Sequence, residues 1–87
     1  MPLSFPNSSR SYDTTRRAVR FWGHDSAMET SFYMTEDALM RIQPNLARGE
    51  DGALGAFDAH RPLIYAAAVK VYARGRKGSY DLVSNDF

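Results

Sequence analysis

The sequence predicts an α+β domain: a β-hairpin, two helices packed on one face of a small antiparallel sheet, and a C-terminal strand that closes the sheet. Three observations carry this. Val19 and Phe21 alternate with Arg20 and Trp22, and Phe32 and Met34 alternate with Ser31 and Tyr33, which is the two-residue period of strands. After Thr35 the apolar residues fall at Ala38, Leu39 and Ile42, which is helix spacing. Phe57, Ile64, Ala68 and Val71 then fall on one arc of a longer helix, before Tyr80 and Leu82 alternate again.

Each element has a local reason. Leu3 and Phe5 share a face of a short extended segment that Pro6 ends, and they suit an edge of the sheet. Asn7 to Ser11 is polar and turn-like, and Tyr12 to Thr15 reads as a turn into the first strand, Arg17 to Gly23. His24, Asp25 and Ser26 connect it to a return strand at about Ala27 to Met34. Thr35 is a good N-cap, Glu36 and Asp37 suit the positive end of the helix dipole, and Pro44 stops the first helix. Asn45 to Gly55, with Gly49, Gly52 and Gly55, reads as a loop.

The second helix runs to about Arg74, with Gly75 as a left-handed C-cap. Its start has two readings. With Asp58 as N-cap, Pro62 lies in or just beyond the first turn; with a start near Ala53, Pro62 kinks the helix. A basic loop, Gly75 to Gly78, leads to the closing strand, Tyr80 to Val83, with Tyr80 and Leu82 facing inward.

Bulk composition narrows the class. Eighty-seven residues make one domain, spanning 1–87, and leave no room for a second core. A net charge of +1 neither requires nor excludes a polyanionic partner, so local clustering has to decide. The absence of cysteine removes disulfides, thiolate nucleophiles and sulfur-ligated zinc, and suits a reducing cytoplasm. Prolines and polar residues stand where a signal peptide needs an apolar core, and the longest apolar run, Leu63 to Val69, is far too short to cross a bilayer. A cytoplasmic protein that does not engage the membrane is expected.

The order Leu3-Ser4-Phe5-Pro6, Tyr12-Asp13, Val19-x-Phe21, Ala38-Leu39, then Phe57, Arg61, Ile64, Ala68 and a closing Asp86-Phe87 resembles a small bacterial family catalogued as domain of unknown function 1488. The resemblance covers nearly the whole chain and rests mostly on core hydrophobics. It implies a compact α+β domain with helices against an antiparallel sheet in a bacterial cytoplasm, and it implies no activity. Pro62 departs from the expected pattern.

Candidate chemistry is sparse. Gly23-His24-Asp25-Ser26 holds the residue types of a hydrolytic triad, but three consecutive turn residues do not converge as catalytic residues must. His24 and His60 have no companion ligands at metal-site spacing, and His60 falls towards the inner arc of its helix as a structural histidine. The three glycines before the second helix match neither phosphate-binding fingerprint, and Glu50 and Asp51 would repel an anion. No catalytic, cofactor-binding or metal-binding residue is assigned, and no enzyme activity or cofactor is expected.

Two surfaces remain. Arg16, Arg17 and Arg20 lie on or before the first strand, and Arg74, Arg76 and Lys77 surround the end of the long helix. If Val19, Phe21, Phe32 and Met34 face the helices, then Arg20, Trp22 and Tyr33 share the opposite face as a candidate ligand platform for stacked bases. The plainer account is a set of cross-strand neighbours covering a one-sided sheet. Tyr65, Val69 and Ala73 make a second arc on the long helix, a candidate stripe for a weak homodimer unless the first helix covers it. The favoured reading is a small non-catalytic cytoplasmic interaction or accessory protein with an unknown protein partner or a weak homodimer. The alternative is a single-stranded RNA- or DNA-binding module.

Overall fold

The hairpin forms where the alternation places it, but not with the connection expected: His24 and Asp25 continue the first strand by pairing with Glu29 and Met28, and Ala27 belongs to the turn. In the computed structural model, which describes residues 3–75 and 77–87, β3 (Ala18–Asp25) and β4 (Met28–Thr35) pair antiparallel from Ala18↔Thr35 to Asp25↔Met28. Pro2 of the N-terminal segment and Arg76 of the basic loop lie outside the described residues. Ser26 and Ala27 make the turn, with Ser26 at φ 57° in the left-handed region that two-residue hairpin loops require. The register sets Val19 opposite Met34 and Phe21 opposite Phe32 on one face, with Arg20 opposite Tyr33 and Trp22 opposite Ser31 on the other. The first four are completely buried or nearly so.

The other edge of β3 is shared end to end by two short strands. β1 (Leu3–Ser4) pairs with its far end and β2 (Arg10–Asp13) with its near end, both antiparallel. β1 is the edge that the sequence suggests; β2 occupies Arg10–Asp13 in the middle of the stretch expected to be turn-like, of which Asn7 to Ser9 stays outside any strand and Thr14 and Thr15 do form a turn. Distant partners hold it. Arg10 makes a two-pronged contact to Asp58, with Nη2 2.8 Å from Oδ2, and Tyr12 donates its hydroxyl to Glu36 Oε2 at 2.9 Å. Asp58 also accepts from Arg61 at 2.8 Å. The Arg10 hydrogen bond, followed by that from Arg61, holds the Asp58 carboxyl below the usual carboxylate range.

Tyr12 gives this strand a measurable signature. Burial first, and the Glu36 carboxylate second, raise its phenol above the ordinary value of 10.0. A raised pKa means that its stabilising contribution is complete below the unfolded-state value near 10 and is lost as pH climbs through the folded-state value. The stability difference between the wild type and Tyr12→Phe is therefore expected to narrow in urea titrations run above about pH 10. A difference that stays constant into that alkaline range would show that the phenol–carboxylate contact does not contribute.

Past β4, Thr35 caps α1 (Glu36–Ile42) by accepting from the Ala38 N–H at 3.2 Å, and α1 ends just before Pro44. Three helices follow where two are expected. α2 (Gly49–Ala59) starts inside the stretch that reads as a loop, and the chain breaks at His60 before α3 (Arg61–Ala73). Neither expected start survives: Asp58 lies near the end of α2, and Pro62 produces a break rather than a kink. In the first turn of α3 Pro62 lacks only an N–H that would have no helical partner. Gly49, Gly52 and Gly55 give this stretch a loop-like composition, because glycine costs about 1 kcal/mol in a helix relative to alanine, yet all three are helical here. One of them is required: a Cβ at Gly52 would lie 2.0 Å from the carbonyl oxygen of Ala47, which crosses that turn. After α3, Gly75 has φ 157°, not the left-handed helical value near 57° expected of a C-cap.

β5 (Ser79–Leu82) completes the sheet and buries Tyr80 and Leu82, as the alternation requires. It runs parallel to β4, from Ser31↔Ser79 to Met34↔Leu82, so the sheet is mixed and not antiparallel. Parallel neighbours need a long crossover, and here all three helices supply it on one face. The α+β class holds, with five strands in the order β1-β3-β4-β5 and β2 also on β3. The core between the layers is aromatic. Phe32 stacks on Phe21 at 5.3 Å and on Tyr80 at 5.2 Å, and Phe57 closes on Phe21 at 5.0 Å.

Candidate functional site

The parity of β3 and β4 puts Arg20, Trp22 and Tyr33 together, and the helices lie on the other face. Among the described residues no helix covers this outer face. Arg20 is clasped: its guanidinium carbon is 5.1 Å from the Trp22 ring and 5.7 Å from the Tyr33 ring, and Nη2 donates to Ser31 Oγ at 3.0 Å. Its Nε is buried with no hydrogen-bond partner among the described residues, so the ring faces largely hold the group.

A fourth residue joins them that strand parity could not supply. Arg16, in the turn before β3, lays its guanidinium 4.1 Å above the Tyr33 ring. It reaches Asp13 and Asp81, each at 3.8 Å, one on either side of Tyr33. The pairing Tyr33↔Asp81 across β4 and β5 places that second carboxylate. The result is a ladder, Arg16–Tyr33–Arg20–Trp22, in which cations and rings alternate. Tyr33 is only 9% exposed beneath Arg16, while Trp22 is partly open. Sequence spacing identifies three of the four; Arg16 leaves no signal beyond belonging to a run of arginines.

The remaining candidates are scattered. His24 faces outward beside Glu29 at 3.2 Å, while Asp25 points to the helix side and accepts from Tyr72 at 2.5 Å. Successive strand residues face opposite ways, so this apparent triad diverges. His60 lies on the helix side of the sheet with its Nε2 3.1 Å from Gln43 Oε1. Among the described residues no group of three or more His, Cys, Asp or Glu could hold a metal ion. None of the described helices is long and apolar enough to cross a membrane.

The stripe of Tyr65, Val69 and Ala73 is divided. Tyr65 stacks flat on Phe5 at 4.1 Å with the rings 2° from parallel, and its hydroxyl accepts from Arg61 at 2.7 Å. Val69 is 44% exposed and Ala73 is exposed. The N-terminal segment, not the first helix, covers the Tyr65 end. Phe5 reaches it by passing over Gly23, where an added Cβ would lie 3.0 Å from both Leu3 and Phe5.

The family model described as protein of unknown function (DUF1488) matches residues 3–83. This chain belongs to the DUF1488 family. A crystal structure of a protein of unknown function from the same family, from Shewanella loihica PV-4, matches with a TM-score of 0.81 at 18% identity, over 92% of this chain and 90% of that one. At that identity the likeness concerns the DUF1488 fold alone. No curated protein matches. Two of the residues behind the resemblance, Arg61 and Asp86, tie separate segments of the fold together. Arg61 ties Asp58, Tyr65 and the Ser8 carbonyl together. The nearly buried Asp86 carboxylate accepts from the Val83 N–H at 2.8 Å and from Arg74 at 3.1 Å, fixing the C-terminal turn after β5.

Proposed function

We propose that this DUF1488 chain is a small non-catalytic interaction protein of the bacterial cytoplasm that docks a protein partner on the outer face of its sheet. The observation that carries the reading is the ladder Arg16–Tyr33–Arg20–Trp22. Tryptophan, tyrosine and arginine are the residues that dominate binding energy at protein interfaces. Here they are already ordered against one another, so docking immobilises few additional rotamers. Arg16 is shared between two carboxylates, which leaves no run of unmatched cations for a polyanion to follow.

A single-stranded nucleic acid is the second reading, favoured by Trp22 lying partly open beside Arg20. Tyr33 supports it less, because a base could stack there only after Arg16 had moved. The two readings separate in one experiment. Ser11 is exposed and pairs with Arg20, so a benzophenone amino acid placed there samples this face. Irradiation in the native host is expected to yield a discrete protein adduct that survives nuclease and weakens when Trp22→Ala is added. A nuclease-sensitive adduct would select the second reading, and the absence of any adduct would remove both.

A further inference from the structure

We infer that the groove between α1 and α3 is a second docking site, built for an acidic protein segment that inserts a large apolar side chain. Ile42 at the end of α1, Leu63 and Ala66 on α3, and Phe87 line a half-open groove of about 400 Å³, with Arg41 on one wall and Lys70 on the other. Leu63 is 49% exposed although it faces this groove, so its apolar surface is only partly used.

The charges select the occupant. Arg10, Arg16, Arg17, Arg61 and Arg74 each have a carboxylate within salt-bridge distance, and aromatic rings hold Arg20. Arg41, Lys70, Arg48 and Lys77 have neither an ion pair nor a side-chain hydrogen bond among the described residues, and of these four Arg41 and Lys70 line the groove. The one carboxylate side chain in the lining, Asp86, is occupied by Arg74 and the Val83 N–H. Each of the two groove cations stands in the last turn of its helix, where the dipole favours it. That accounts for two positive charges but not for a half-exposed leucine between them.

A second copy of this chain is a poor occupant, because a two-fold contact would set like charges against each other. A nucleic acid needs a longer track of cations than two. A segment carrying a leucine- or phenylalanine-sized residue with a carboxylate on each side satisfies both the floor and the walls.

The test is selection of random phage-displayed peptides on the intact protein, followed by binding of the enriched peptide, labelled with a fluorophore, to the wild type and variants. Enriched sequences are expected to hold an apolar residue flanked by Asp or Glu and to bind more weakly as salt rises. Their binding is expected to fall about tenfold or more in Arg41→Glu/Lys70→Glu, and to fall in Leu63→Ala, with the circular dichroism unchanged. Amide shifts on binding should gather at Arg41, Ile42, Leu63, Ala66 and Lys70. The inference fails if no peptide is enriched, if the charge reversals leave affinity unchanged, or if the shifts gather at Arg20, Trp22 and Tyr33. It also fails if an oligothymidine competes as well as the peptide, since the site would then be a general anion site.

Discussion

Gly52→Ala is expected to destabilise the protein by about 1–3 kcal/mol, and Gly55→Ala to stabilise it by about 0.5–1 kcal/mol, although both glycines lie in α2. In an ordinary helix interior both changes would be gains, because alanine loses less backbone freedom on folding. The difference comes from what each new methyl group meets. At Gly55 nothing lies within 4 Å of the added carbon. At Gly52 the carbon would fall 2.0 Å from the Ala47 carbonyl oxygen and 2.5 Å from its carbon, inside any tolerable contact. The obstacle is main chain, so no side chain can rotate aside; either the start of α2 or the 44–48 connection has to move. Urea denaturation of the two variants decides the matter. A gain at both positions would mean that the connection does not cross α2 at Gly52.

Phe32→Ala is expected to cost about 3–5 kcal/mol. A domain of this length has roughly 4–13 kcal/mol in all, so the loss takes from about a quarter of the stability to the whole of it. Phe32 is fully buried and touches rings from four other elements or segments: Phe5 at 6.1 Å, Phe21 at 5.3 Å, Tyr72 at 6.5 Å and Tyr80 at 5.2 Å. Its loss opens a cavity where β3, β5, α3 and the N-terminal segment meet. Trp22→Ala, also on the hairpin but on the outer face, should cost less than about 1 kcal/mol, because only a cation–π contact and partial burial are lost. Thermal melts followed by circular dichroism compare the two. A Trp22 variant as damaged as the Phe32 variant would mean that the outer face is part of the folding core and not a surface held ready for a ligand.

The hairpin was legible because two strands had to agree. Val19 and Phe21 fix one parity, Phe32 and Met34 the other, and a slip by a single residue would turn one of the two pairs away from the core. That same parity brings Arg20, Trp22 and Tyr33 together, so most of the outer-face ladder could be read without coordinates. Arg16 could not, since a turn residue has no parity and its position depends on Asp13 and Asp81 from two other elements. β2 was hidden for a related reason: Arg-Ser-Tyr-Asp carries almost no strand signal, and an ion pair to a residue 48 positions away holds it in place. The direction of β5 was not legible either. Alternation identifies which residues face inward, but it is identical for a strand run forwards or backwards. For the helix stripe, a wheel correctly lines up Tyr65, Val69 and Ala73 but carries no information about Phe5, which arrives from the opposite end of the chain.

The parallel placement of β5 also bears on how fast the protein can assemble. Partners across β3 and β4 are between 3 positions apart (28 − 25) and 17 (35 − 18), so that pair can zip from its turn. Partners across β4 and β5 are 48 apart (79 − 31), and the intervening chain must be gathered in before a single ladder bond is gained. Closure entropy on that scale precedes its reward, which slows the step relative to local pairing. Strength and speed are thus assigned to different parts of the molecule. The aromatic layer determines how firmly the native state is held, while the long excursion between residues 35 and 79 determines how long the chain takes to reach it.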